Sequence, residues 1–181
     1  AYTIDLASRA TGSNMGAADI LETFSIYGRE TTGSTELSRI LVEFPIATIA
    51  KDRVDGKIPA VNSASFYLRL YNARHSEQLP RDFTLNVLAV SSSWQEGYGL
   101  DMENYSDKTK DTVDGSNWIN REKATAWNKV GGAYHTASYI SGSKLPQYTA
   151  SFSDGPEDIE IDVTTMVEEW IQENQANYCL L

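Results

Sequence analysis

The chain has one cysteine, Cys179, two histidines and five prolines among its 181 residues. A lone thiol excludes an intrachain disulfide, a CxxC redox pair and a cysteine-based zinc site, so folding does not depend on an oxidising compartment. The histidines, His75 and His135, fall in segments that read as loops, with no Ser or Cys nucleophile-elbow pattern nearby. The sequence therefore reads as that of a protein that is not an enzyme. No run of roughly 18 apolar residues is present, and Ala1-Tyr2-Thr3-Ile4-Asp5-Leu6 has neither a basic n-region nor an apolar h-region. The expectation is a soluble protein made inside a cell, without membrane insertion.

Positive charge is also scarce. The 15 Lys and Arg against 25 Asp and Glu leave a net charge of −10, and no Lys or Arg follows Lys144. Such a surface repels phosphate backbones, which argues against a nucleic-acid partner. What the chain does have is enough apolar residues, 41%, for a packed core, with aromatics at 10%. Its length suits one domain spanning residues 1–181.

Alternation of apolar and polar residues marks the strands. Tyr2–Leu6 and Leu21–Tyr27 alternate, and Ser38–Phe44 reads as a buried strand stopped by Pro45. Ile46–Lys51 suggests a single helical turn before a loop at Asp55-Gly56-Lys57. The clearest strand is Ala64–Leu70, with Ala64, Phe66, Leu68 and Leu70 inward and Tyr67, Arg69 and Tyr71 opposite. Phe83–Val90 follows, then a loop-rich stretch from Ser92 to Lys144 with short strands. Ser151–Ser153 adds a short strand, and Glu157–Val163 alternates cleanly with Ile159, Ile161 and Val163 inward. The spacing of Val163, Val167, Trp170 and Ile171 predicts one helix over 164–173, opened by a capping-box pattern, Thr165-Met166-Val167-Glu168. Glu168, Glu169 and Glu173 form its solvated face. Tyr178–Leu181 reads as a last strand. Many short strands, turn-rich connections and one short late α-helix give an all-β expectation, an antiparallel β-sandwich.

Taken in order, Ser38–Phe44, Ser63–Leu68, Ser93-Trp94-Gln95-Glu96-Gly97, Trp127 with Gly131-Gly132, and Asp162-Val163-Thr164 with Trp170-Ile171 resemble the disaggregatase-related, DNRLRE-type jelly-roll domains. The resemblance covers nearly the whole chain and implies an antiparallel jelly-roll β-sandwich similar in fold to carbohydrate-binding modules. The segment Trp94–Tyr105, followed by Gly115-Ser116-Asn117-Trp118-Ile119, is similar to the variant found in structural proteins of tailed phages. It implies a virion protein, assembled in the host cytoplasm with other virion proteins and with copies of itself. Two departures stand out: Cys179 occupies a position where the family usually has Gly, and the chain ends where further sandwich strands are expected. A neighbour could then add a strand beside Tyr178, Cys179, Leu180 and Leu181, making them candidate interface residues.

Three chemistries deserve weighing against plain structure. The carboxylate pairs Glu96 with Asp101 and Asp158 with Asp162 could serve a glycosidase, but a solvated acidic face is the simpler reading. Asp101, Glu103, Asp107, Asp111 and Asp114 are hard oxygen ligands crowded into one loop. They are candidates for a structural calcium ion, no cofactor being required, with a hydrated loop tip as the alternative. Among the tryptophans, Trp94 and Trp170 read as core. Trp118 and Trp127, with Asn117 and Asn128, are candidates for a glycan-binding platform, where indole faces stack on a sugar and amides take its hydroxyls; the alternative is that they close one end of the sandwich. A carbohydrate-binding module that attaches an enzyme or particle to a surface glycan is thus the second functional expectation.

Overall fold

The computed structural model describes residues 12–23, 25–29, 34–73, 79–101, 115–135 and 145–181. In chain order the elements are β1 (Ser25–Arg29), β2 (Ser34–Leu37), α1 (Ile46–Val54), β3 (Tyr67–Leu70), β4 (Phe83–Val87), β5 (Asn120–Glu122), β6 (Thr125–Ala126), β7 (Tyr148–Phe152), β8 (Ile159–Asp162) and α2 (Thr164–Ile171). The strands pair as four antiparallel two-stranded ladders among the described residues: β1 with β2, β3 with β8, β4 with β7 and β5 with β6. Strands dominate, as expected. The chain forms two compact units, each made of separated segments: unit 1 comprises 1–42, 92–133 and Leu181, and unit 2 comprises 43–91 and 134–180.

In unit 2 the period-two pattern decides the faces. Leu68 pairs with Ile161 and Leu70 with Ile159, turned inward, while Tyr67, Arg69, Glu160 and Asp162 are exposed. Phe83 and Phe152, opposite each other on β4 and β7, stack with centroids 4.5 Å apart. These faces close over Ile46, Leu68, Val87, Ala89, Leu145, Val163, Met166, Val167, Trp170 and Leu180. Met166 is fully buried, and with Val167 and Trp170 it makes α2 a core element, each such side chain contributing about 1.5–3 kcal/mol of apolar burial. In unit 1, β5 and β6 form a tight hairpin, and β1 and β2 a longer one with an irregularity between Tyr27 and Arg29.

Several expectations are corrected. The turn after Pro45 is a nine-residue helix, so the described residues hold two helices rather than one. β-branched Ile46, Thr48, Ile49 and Val54 lower its intrinsic propensity, but Ile46 is buried and Ile49 packs on the core, and Lys51 and Arg53 sit favourably in the last turn. Ser38–Phe44 is not a continuous strand; only Val42 makes a bridge. Adjacent Ile40 and Leu41 both line one cavity, which an extended strand with alternating faces does not allow. The capping box at α2 does not form: Asp162 Oδ1 instead accepts from the Thr164 N–H at 2.9 Å, and Thr164 Oγ1 accepts from the Phe66 N–H at 2.9 Å. Glu168 is not solvated but buried against Arg53. At the C-terminus only Leu180 bridges to Ala89, because Cys179 has a left-handed backbone (φ 64°) that cannot continue a strand. That conformation is the one glycine adopts without steric cost. The strand expected at Tyr2–Leu6 lies outside the described residues.

His135 gives unit 2 a pH dependence. Its backbone N–H donates to the Ala89 carbonyl at 2.8 Å, while its Nδ1 is buried with no hydrogen-bond partner among the described residues. Burial pushes its pKa below the ordinary imidazole value. The unfolded chain therefore takes up the proton first as pH falls, so this contribution is full above about pH 6.5 and declines from there down to the lowered folded pKa. Urea midpoints are expected to fall between about pH 7.5 and about pH 5.5, and His135→Gln to flatten that part of the profile. An unchanged slope in the variant would assign the effect elsewhere.

Candidate functional site

Unit 1 is organised around a residue that local pattern does not single out. Asn14, in the turn-forming stretch Gly12-Ser13-Asn14-Met15-Gly16, is buried, and its amide is fully used. Nδ2 donates to the carbonyls of Glu96 and Ser116, each at 2.7 Å. Oδ1 accepts from the N–H groups of Gly16 at 3.0 Å and Gly99 at 2.8 Å. Its backbone N–H donates to Asp101 Oδ2 at 3.0 Å, and its carbonyl accepts from the Asp101 N–H at 3.2 Å. One side chain thus ties together the 12–16, 96–101 and 115–116 segments. Approach this close requires glycine: a Cβ on Gly16 would lie 2.3 Å from the Glu96 carbonyl oxygen, and one on Gly99 would lie 2.3 Å from that of Asn14.

Beside this junction is a cavity of about 250 Å³ lined by Trp94, Trp118, Trp127, Arg39, Glu96 and Asn117 together with Ser and aliphatic side chains. The turn leading into β5 places the rings. Asn117 Oδ1 accepts from the N–H groups of Ile119 (2.9 Å) and Asn120 (2.7 Å), and its carbonyl accepts from Trp127 Nε1 (2.8 Å). Trp118 is half-buried, its carbonyl accepts from the Gly131 N–H, and the Arg39 guanidinium lies 4.8 Å from its ring centroid. Arg39 Nη1 also donates to the Gly131 carbonyl. A lining of tryptophans, one arginine, Glu22, Glu96 and serines is of the residue types that suit a neutral, hydroxyl-rich ring. The volume of about 250 Å³ falls just below the range of ligand pockets, which starts at about 300 Å³, and admits no more than about one such ring.

Of the residues expected to bind glycan, Trp118, Trp127 and Asn117 meet at this cavity, and Asn128 is exposed and not among its lining. Trp127 is buried, forming wall rather than open platform, and Asn117 Oδ1 is occupied by its own turn. Trp94, read as core, is half-buried in the cavity wall, whereas Trp170 is core. Arg39 was missed because its interaction with Gly131 and Trp118 spans about half the chain. Asp101 is not part of a solvated acidic face; it is buried on the Asn14 backbone. Glu103, Asp107, Asp111, Asp114 and His75 lie outside the described residues. Among the described residues no group of three or more His, Cys, Asp or Glu side chains is gathered as a metal site, and no helix is long and apolar enough to cross a membrane.

The candidate interface residues divide. Cys179 and Leu180 are buried, Cys179 Sγ accepts from the Phe44 N–H at 3.2 Å, and burial pushes its thiol pKa up. Tyr178 and Leu181 are partly buried. Removing the last four residues would therefore remove core, and its effect on assembly could not be separated from an effect on folding. No family model, curated protein or solved structure matches the chain.

Proposed function

We propose that the chain is a non-enzymatic structural component of a tailed-phage virion, built as a jelly roll and assembled in the host cytoplasm through contacts with other virion proteins and with copies of itself. The motif series from Trp94 to Ile119 supports the virion part of this reading, and the order of pairing in unit 2 supports the rolled β fold. β3 pairs with β8, β4 with β7, and Val90 with Tyr134, one pair nested inside the next along the chain, with the Ala89–Leu180 bridge outside that nest. Nested antiparallel pairs distributed over separate ladders are what a rolled-up hairpin requires. Two fragments of the ordered series belong to these segments, Ser63–Leu68 running into β3 and Asp162-Val163-Thr164 joining β8 to α2, whereas Ser93–Gly97 and Trp127 with Gly131-Gly132 belong to unit 1. Two-stranded ladders among the described residues offer backbone edges that a neighbouring subunit can extend.

A second reading, a carbohydrate-binding module, is favoured by the convergence of Trp94, Trp118 and Trp127 on one cavity. Solution mass separates the two. Light scattering on the isolated chain, with and without calcium, is expected to give a discrete oligomer or aggregation that only another virion protein relieves. A stable monomer that binds free sugars, with binding lost in Trp118→Ala, would make the module the conclusion. A mass or melting temperature that responds to calcium would show that the chain binds the ion.

A further inference from the structure

The outer face of the β3·β8 ladder has a composition that the packing of unit 2 does not explain. Antiparallel pairing sets Tyr67 opposite Asp162 and Arg69 opposite Glu160. The same register continued by one residue sets Tyr71 opposite Asp158, whose Oδ1 accepts from the Asn72 N–H at 2.8 Å. All six side chains share the face directed away from Leu68, Leu70, Ile159 and Ile161. Tyr67 is 49% and Tyr71 75% exposed. A core-directed sheet needs no aromatic rings on its wet side.

The face already displays the ligand chemistry it suits. Arg69 Nε lies 2.8 Å from Glu160 Oε2, and its guanidinium is 5.6 Å from the Tyr67 ring centroid, so one cation rests on a ring while pairing with a carboxylate. Tyr71 and Asp158 repeat the ring and the carboxylate, with no cation paired to them among the described residues. Among the described residues, three carboxylates against one guanidinium leave the face with a net negative charge of two. A second copy of the same face, an anionic lipid headgroup or a nucleic acid would meet like charge.

We propose that the outer face of β3 and β8 docks a basic, extended segment of a protein partner, Arg or Lys side chains stacking on Tyr71 and Tyr67 and pairing with Asp158, Glu160 and Asp162. This rests on the reading of the chain as an assembly component and names the chemistry of one contact. Tyr67 and Tyr71 stand four residues apart on this face with Arg69 between them, so an extended segment with a basic residue at every fourth position, and a neutral one facing Arg69, matches the two rings.

The test uses the whole chain and a fluorescent Thr-rich peptide with Arg at every fourth position, with the same peptide carrying Glu in place of Arg as counterpart. Anisotropy is expected to show binding of the Arg peptide, weakened by added salt, and none of the Glu peptide. Tyr67→Ser with Tyr71→Ser is expected to weaken binding about tenfold, and Tyr67→Phe with Tyr71→Phe, which keeps both rings, to preserve it. Circular dichroism establishes that the variants are folded, and Tyr71→Ser alone, at the more exposed ring, serves if the double serine variant is not. Absence of Arg-peptide binding overturns the proposal. So does binding that persists in the folded serine variants, which would mean diffuse attraction to an acidic protein, and so does preference for anionic vesicles. None of these outcomes reads association with a phage particle, so this proposal and the virion reading fail separately.

Discussion

Replacing Asn14 with Ala is expected to remove about 4 kcal/mol of stability from unit 1. Truncation leaves the Ser116 carbonyl and the Gly99 N–H without their partner in a buried setting, and the Glu96 carbonyl and the Gly16 N–H without theirs in a part-buried one. Each buried orphan costs about 1–3 kcal/mol, and water entering the vacated space recovers part of the sum. Total stability for a domain is commonly about 5–15 kcal/mol, so the loss is a large fraction. Asn14→Asp keeps the acceptor but turns the donor edge into a second acceptor facing two carbonyls, and is expected to be damaging as well. Asn117→Ala is the contrast: its Oδ1 bonds reach only two and three residues ahead, and its loss is expected to cost about 1 kcal/mol. Urea unfolding followed by tryptophan fluorescence measures the difference, since Trp94, Trp118 and Trp127 all belong to unit 1. A change below about 0.5 kcal/mol for Asn14→Ala would contradict its role as the junction.

The second large effect is expected in unit 2, at the contact between α1 and α2. Arg53 reaches Glu168 with two parallel bonds, Nη1 to Oε2 at 2.6 Å and Nη2 to Oε1 at 2.8 Å, with the side chains only 11% and 6% exposed. The carboxylate holds the Arg53 pKa above its already high ordinary value through this hydrogen-bonded pairing. Arg53 Nε also donates to the Pro59 carbonyl at 3.0 Å, fixing the loop after α1. Glu168→Gln leaves a guanidinium without its counter-ion, and is expected to cost about 2–3 kcal/mol, less than the 3–5 of a fully buried pair because Arg53 keeps some contact with water. The double variant Arg53→Met with Glu168→Leu removes both charges and is expected to recover more than half of that loss. Thermal melts of the single and double variants form the cycle. A neutral Glu168→Gln would show that the pair contributes nothing net.

These two sites mark where sequence reasoning stops. The inward and outward faces of β3 and β8 were legible because period two is a local property, and Leu68, Leu70, Ile159, Ile161 and Val163 all turn inward as expected. So was the helix at 164–171, from its 3.6-residue spacing. Glu168 was assigned to water because its helix neighbours Glu169 and Glu173 are acidic too, and nothing local reveals an arginine 115 residues earlier. Asn14 read as turn chemistry, which its bond to Gly16 is, but its other partners lie 82 to 102 residues away. α1 was underestimated for the opposite reason: tertiary burial of Ile46 and Ile49 overrode weak β-branched propensity. At the cavity, residue type identified Trp118, Trp127 and Asn117, but whether a ring is a wall or a platform depends on burial that only the fold supplies.

The most direct measurement for the account as a whole is quantitative mass spectrometry of tailed particles from the source of this sequence, purified through a density gradient. The account predicts that the chain travels with intact particles at a fixed ratio to the major capsid protein, and stays with them through a salt wash. Finding the chain only in the soluble fraction, or at a ratio that varies from one preparation to the next, would contradict it.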